Sequence, residues 1–523
     1  MTRNAARLGW TLPGLLAAGL AGPALGADGP FIINTLQAPA TMDPAYLCDI
    51  TDNGYVAPLY APLVGYGRTA IADAPAGVTV TREDASQIVP ELAESWSVSD
   101  DGLVYTFTIR EGLKFASGNP IDGAAVAASL ERALKSGSCG THFMEAADYG
   151  NTKSIAADGN TVTVTLDHPQ PLLIHALTQP NVSIVDVATV EANGGNDWLA
   201  THSAGSGPYV LDSYQPGVKA VFKANPNYYG EAPREPEVIL NFIADPSTLL
   251  LQARNDAAHV TLGLPKQMLA EVADSMNVVA VPAPRWELLG LPNRIAPFDN
   301  ATFRSALSYA VPYDVLVDSV AHGYGERFFG PFPPQLPGYN AELGGPRAFD
   351  MEKAQQLMAE SGVTGPVALT ITIREGRDDH EQIATILQQV WGQLGVDVTI
   401  SKVSGSAYAE LVSAPEKSTG IMRSDGPSVT FSPWLLNYDI RCESNFNMSN
   451  YCNPELEAAF DESNAVPDLA ARQPFFDRIT EMWVADAPRI PLYGDVYTAV
   501  LDKSVTFWDF AQDGPVEIWR WGR

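Results

Sequence analysis

Positive charge is scarce in this chain. Its 523 residues hold 32 Lys and Arg against 61 Asp and Glu, a formal net charge of −29. A nucleic-acid binder needs a basic surface to neutralise phosphates, and docking on anionic lipid needs the same. The balance therefore argues against both partners. Histidine is sparse too, with seven scattered residues. The four cysteines form no C-x-x-C pair and have no His at finger spacing, which argues against a thioredoxin-like redox site and against structural zinc. Catalytic signatures are missing as well. Ser203-Ala204-Gly205-Ser206-Gly207 misses the spacing of a nucleophile elbow. His380-Glu381 opens like a zinc-protease helix, but Ala384 stands where the second histidine belongs. Gly323-Tyr324-Gly325 meets Phe328 where a dinucleotide loop needs Gly, and no phosphate-binding G-x-x-x-x-G-K-[ST] occurs. Accidental carboxylate pairs are inevitable among so many acids, so a glycosidase-type pair can be neither located nor discarded. There is no internal repeat and no low-complexity run. These absences, with export and size, favour a binding protein over an enzyme. A secreted hydrolase on an unrelated α/β fold is the remote alternative, and neither cofactor nor metal is expected.

The first 27 residues have the layout of a secretory signal. Arg3 and Arg7 precede an uncharged apolar stretch from Leu8 to Leu20, and Ala24-Leu25-Gly26 supplies small residues before a cut. A membrane anchor is the competing reading, but Pro13 and Pro23 interrupt the run and no basic stop-transfer follows. No Cys lies at the cut, which disfavours a lipoprotein. Removing Arg3 and Arg7 takes the net charge from −29 to −31. No later stretch reaches 18 consecutive apolar residues, so a soluble periplasmic protein is expected. In an oxidising compartment an even number of cysteines implies disulfides. Four allow three connectivities. Cys442–Cys452 closes a short local loop and is preferred, which leaves Cys48–Cys139.

At 46% apolar and 18% charged residues the composition is globular, and about 150 residues per domain gives three or four structural units. Strand and helix patterns alternate, as in an α/β protein. Leu103–Arg110 and Thr161–Leu166 alternate faces after Asp-Gly turns and are predicted to be hairpin strands. Helices are predicted at Asp122–Leu134, from Asp299 or Asn300 to Val311, and at Asp350–Ser361 with Gly362 closing it. The Pro/Gly-rich segment 330–338 is expected to be an ordered surface loop. Residues 367–402 form the clearest unit. Val367–Arg374 is a strand, Asp378–Leu394 an amphipathic helix closed by Gly395, and Val396–Lys402 a second strand. Such a βαβ unit has parallel strands and a right-handed crossover. Ligands of open α/β sheets bind outside the carboxyl ends of the strands, which singles out Arg374. The alternative is a surface ion pair with Glu375 or Asp378.

Residues 90–134 carry a denser pattern: Pro90, Leu92, Ala93, Ser95, Trp96, the Asp101-Gly102 turn, Tyr105-Thr106-Phe107, Arg110, Gly112, Lys114-Phe115, then Ser129-Leu130 and Arg132. This resembles the signature of the family-5 extracellular solute-binding proteins of ABC importers, the peptide/nickel-binding class. Further matches follow in order: Gly205-Ser206-Gly207-Pro208-Tyr209, Asn225-Pro226-Asn227-Tyr228-Tyr229-Gly230, Pro297-Phe298-Asp299 with Phe303-Arg304, and Pro488-Arg489-Ile490-Pro491-Leu492-Tyr493. Most of these residues look structural; Trp96, Tyr105 and Phe107 are expected in a core. The resemblance implies a type II periplasmic-binding-protein fold with an extra subdomain, mixed sheets with flanking helices, and two lobes closing on a hinge. It places one lobe at 28–284 and 495–523, with a subdomain near 65–200, and the other at 285–494. It implies a monomeric receptor that hands a small solute to permease and ATPase subunits.

The same resemblance points to a site. Asp425, at the end of Thr419-Gly420-Ile421-Met422-Arg423-Ser424-Asp425, matches the residue that holds a peptide's α-ammonium. Counting back from Trp391 places Arg374 where dipeptide binders hold the α-carboxylate. Met422, Arg423 and Ser424 flank Asp425. The segment Leu47–Gly54, with Cys48, Asp49 and Asp52, matches a ligand loop whose acidity hints at a cationic solute or simply at a solvated turn. The sequence also departs from the family: Met422 replaces a frequent Trp, and Gly426-Pro427-Ser428 replaces an Asp-Pro pair. Short peptides are the expected solute; a nickel chelate, an opine-like molecule or an oligosaccharide is the alternative. Trp286, Trp434 and Tyr438 offer themselves as a stacking surface for a sugar, or as core.

Overall fold

A computed structural model describes residues 29–523 except 49, 73, 147–148, 414–419, 427–435, 437–440, 443, 445–446, 467 and 512–516. Residues 1–27, expected to be a signal segment, and Asp49, Trp434 and Tyr438 thus lie outside the described residues. Among those described, no helix is long and apolar enough to cross a membrane. The strands form three sheets. The largest contains β1 (Phe31–Thr35), β8 (Tyr209–Gln215), β9 (Lys219–Ala224), β10 (Glu237–Phe242), β11 (Val260–Leu262), β12 (Asn277–Gly290), β13 (Gly325–Glu326), β14 (Val367–Arg374), β15 (Val396–Val403), β16 (Ile421–Asp425) and β17 (Arg489–Leu501). Its order is β15-β14-β16-β12-β17-β11-β1-β10-β9-β8, with β13 on β17. A four-stranded antiparallel sheet of β4 (Ala93–Val98), β5 (Val104–Ile109), β6 (Thr152–Asp158) and β7 (Thr161–Leu166) carries the two predicted hairpins. A third sheet joins β2 (Val64–Ala70) and β3 (Thr79–Pro90) to β18 (Phe507–Phe510), so the end of the chain returns to its beginning.

Local chemistry accounts for the helices. Asp122, Asn300 and Asp350 each accept a hydrogen bond from the backbone three residues on, capping helices Gly123–Leu134, Ala301–Tyr309 and Met351–Glu360. The helix Asp378–Gly392 buries His380, Ile383, Ala384, Leu387 and Trp391 on one stripe. It ends two residues short of the expected Leu394. β14 and β15 pair in parallel from Val367–Val396 to Arg374–Val403, completing the βαβ unit.

β12 and β17 pair along nearly their whole lengths and serve two cores. Val279, Val281 and Ala283 of β12, with Ala499 and Leu501 of β17, pack around Phe31, Phe222 and Trp508. Leu289, Ile490, Leu492 and Tyr493 pack instead with Leu369, Ile371, Ile373 and Trp391. Between these stretches the register slips from Pro282 to Trp286. A third core, built on Tyr105, Phe107, Val162 and Val164, covers the four-stranded sheet.

Two expectations change. Trp96 is only half-buried; it lines a cavity of about 820 Å³ with Tyr105, Ile174, Leu469 and Arg472. The segment 330–338 is not a surface loop: Phe332 is buried and packs edge-on against Phe476 with centroids 5.3 Å apart. Its proline and glycine content serves a bend inside the core.

Both disulfides form as the loop lengths indicated, Cys48–Cys139 with Cα atoms 5.5 Å apart and Cys442–Cys452 at 4.6 Å.

Candidate functional site

β14, β15 and β16 run parallel, so their carboxyl ends share one edge of the sheet. Arg374 ends β14 and Asp425 ends β16. The recorded β14–β16 pair is Thr372 with Ile421. Extending that register sets Arg374 beside Arg423, with Asp425 two residues, roughly 7 Å, further along. β12 lies on the other side of β16, antiparallel, with Trp286 opposite Asp425 and Glu287 opposite Ser424. The edge is therefore where β12 passes from one core to the next.

Alternation sorts the side chains onto two faces. Arg374, Arg423, Asp425 and Trp286 share one. Asp425 is mostly buried: its side chain is 10% exposed and 3.2 Å from Arg423 Nη2 and 3.7 Å from Arg489 Nη1. The amide of Gly426 also donates to its Oδ1 at 3.0 Å. Arg374 is exposed, and among the described residues its guanidinium has no hydrogen-bond or ion-pair partner. The proposed surface pairs with Glu375 and Asp378 are not formed. Arg285 packs its stem on Gly426, where a Cβ would lie 2.7 Å from Arg285 Cγ. Its guanidinium, too, has no partner among the described residues.

The opposite face holds a network that sequence reasoning missed. Arg377 donates to Ser424 Oγ at 2.7 Å, to Glu287 Oε1 at 3.0 Å and to both oxygens of Asp379 at 2.9 and 2.6 Å. Ser424 Oγ donates to Glu287 Oε1 at 2.6 Å, and His380 Nε2 to Glu287 Oε2 at 2.7 Å. Burial alone raises the pKa of Glu287; the His380 hydrogen bond and the Arg377 charge outweigh it and hold it down to about 2. Ligand atoms of Glu287, Asp379 and His380 lie within 4.8 Å of one another, a spacing that a metal ion could bridge. The Arg377 guanidinium already bonds both carboxylates, so the cluster is closed as an ion-pair network.

The other expected site residues fall as follows. Met422 is fully buried in the core beneath the βαβ unit, so its side chain faces no solute. Ser424 is committed to Glu287 and Arg377. Trp286 is 4% exposed and packs edge-on against Phe328, which makes it core rather than a stacking platform. Cys48 is held in its disulfide. Asp52 is neither solvated nor in a turn: it is buried in the helix Ile50–Val56 and accepts the Ala40 amide at 3.0 Å. That removes one of the two acids behind the cationic-solute hint.

A mixed sheet that serves two cores, with charged side chains at the carboxyl ends of its parallel strands, is the architecture of the type II periplasmic-binding-protein fold, as the solved structures below bear out. The model for bacterial extracellular solute-binding proteins, family 5 Middle, matches residues 87–440, and the chain belongs to this family. Among curated relatives, the probable D,D-dipeptide-binding periplasmic protein of Escherichia coli K12 is 28% identical, with 91% of this chain and 90% of the relative covered. A glutathione-binding protein of Escherichia coli O1:K1 is 26% identical over 81% of this chain and 84% of its own. Solved structures share the fold as well. HbpA2 from Haemophilus parasuis has a TM-score of 0.81 at 21% identity, covering 94% of this chain and 99% of its own. NikA from Brucella suis with Fe(III)-EDTA has 0.80 at 21%, covering 95% and 100%. DppA from Helicobacter pylori with the peptide STSA has 0.75 at 22%, covering 94% and 97%.

Proposed function

We propose that this chain is the periplasmic receptor of an ABC importer, capturing short peptides between two lobes and delivering them to a membrane permease and its ATPase. The observation that carries the peptide reading is the placement of Arg374 and Asp425 at the carboxyl ends of parallel strands, with the Arg374 guanidinium unpaired among the described residues. Their separation of roughly 7 Å along the strands matches about two extended residues. A peptide's terminal carboxylate meets Arg374 and its ammonium meets Asp425; both contacts are charge-assisted and strengthen as closure removes water. Relatives that bind a dipeptide or glutathione support this reading. The lobes are 28–284 with 495–523 and 285–494, with the subdomain near 65–200, and β12 and β17 act as the hinge. The first 27 residues direct export, and the mature protein acts as a monomer without turnover.

Thermal unfolding with di- and tripeptide pools, saccharides and nickel–histidine added separately tests this. A solute that binds only the folded state stabilises it by about 2.7 kcal/mol at a hundredfold excess over Kd. Peptides alone should raise the melting temperature, and Asp425→Asn should abolish the rise. A rise with a nickel chelate, an opine or a saccharide, and none with peptides, keeps the receptor and replaces the solute.

A further inference from the structure

We propose that the captured solute carries net negative charge: a short peptide with at least one carboxylate beyond its own terminus. This deepens the peptide reading and rests on it. The argument is the charge balance at the strand ends. Asp425 is the carboxylate offered to an ammonium, yet Arg423 and Arg489 already stand 3.2 and 3.7 Å from it. An incoming cation therefore meets a carboxylate whose charge is already offset.

Two further guanidiniums border the same edge. Arg374 lies next to Arg423 on the neighbouring strand, and Arg285 packs on Gly426 immediately after Asp425. Neither has a hydrogen bond or ion pair among the described residues. The nearby acids do not compensate them. Glu287 and Asp379 are bound by Arg377 on the opposite face, with His380 also on Glu287. Glu375 and Asp378 are exposed on the turn after β14 and pair with neither arginine. Among the described residues, four arginines thus border the edge at Asp425, in a chain whose overall charge is −29. A local positive site in an acidic protein focuses anions into the cleft. A peptide's α-carboxylate satisfies one unpaired guanidinium and leaves the other for a second carboxylate.

Calorimetric titration of the mature protein at low salt with Ala-Ala, Ala-Glu and Ala-Lys tests this. Ala-Glu should bind at least about tenfold tighter than Ala-Ala, some 1.4 kcal/mol, and Ala-Lys weakest of the three. Arg374→Gln should weaken all three peptides, whereas Arg285→Gln should narrow only the advantage of Ala-Glu. Arg374 is exposed at the end of β14 and Arg285 lies half-buried within β12; neither guanidinium has a hydrogen-bond or ion-pair partner among the described residues, so both variants should fold. Equal affinities, or a preference for Ala-Lys, overturn the anionic solute while the peptide receptor stands. A preference for Ala-Glu that Arg285→Gln leaves unchanged overturns it as well, because the arginines are then not its source. Binding of none of the three overturns the peptide reading itself.

Discussion

Replacing Glu287 by Gln keeps the side chain's shape and removes its charge. Three groups donate to this carboxylate from elements far apart in the sequence: Arg377 and His380 around the start of one helix, and Ser424 on β16. The fold lowers its pKa from 4.5 to about 2. At about 1.4 kcal/mol per tenfold change in proton affinity, this favours the ionised form by about 3 kcal/mol. The side chain is only 9% exposed, so solvent screening takes little from that figure. Removing one partner of a buried ion pair costs about 3–5 kcal/mol in general, which agrees. Glu287→Gln should therefore lose about 3 kcal/mol of stability at pH 7. The folded pKa lies below the unfolded one, so the contribution is complete above about pH 4.5 and fades as pH falls towards 2. At pH 3, between the two pKa values, it should have fallen to roughly half. Urea unfolding of both proteins, followed by tryptophan fluorescence at pH 7 and pH 3, measures the gap. Equal midpoints at pH 7 would refute the network's role, and a gap undiminished at pH 3 would refute its ionic origin.

The disulfides should differ in weight. By the loop-entropy relation, Cys48–Cys139 with its separation of 91 residues should contribute about 4.6 kcal/mol, and Cys442–Cys452 with a separation of 10 about 2.8. Paired Cys→Ser variants compared by urea unfolding should show that order; equal costs would mean that native-state contacts dominate loop length. Gly207 allows close backbone contact, since a Cβ there would lie 2.5 Å from Pro58 O and Tyr60 N. Gly207→Ala should cost about 3 kcal/mol or more. Gly392, at the end of its helix with open space around its Cβ position, should gain roughly 0.5–1 kcal/mol on substitution by Ala. Unfolding midpoints of the two variants that moved in the same direction would contradict this steric account.

The parts of the molecule legible in the sequence are those where the signal is local. Asp122 was readable as a cap, and helix starts were readable at Asp299 or Asn300 and at Asp350, because a cap acts within three residues. The βαβ unit was readable because periodicity switches from two to 3.6 and back inside 40 residues. Arg374 followed from that unit alone, since a strand end is a position in local pattern. The Pro/Gly segment 330–338 was misjudged because the same residues punctuate surface loops and buried bends; Phe332 meets Phe476 across more than a hundred positions. The Glu287 network escaped for a related reason. Glu287 stands among apolar residues in β12 as one acid of 61. Nothing within the strand indicates that it will face Ser424 across one pairing and His380 from a helix above. Even the assignment of Asp425 was only half readable. Its place at a strand end came from the family resemblance, but its carboxylate is shared with Arg489, which enters from β17 only once β12 and β17 have paired. Charge that arrives from a distant strand has no local signature. That same arrival sets a second guanidinium beside the carboxylate expected to attract an ammonium. On the anionic-solute proposal, the chemistry of the solute is decided less by the residue that matches a known role than by the partners the fold brings to it.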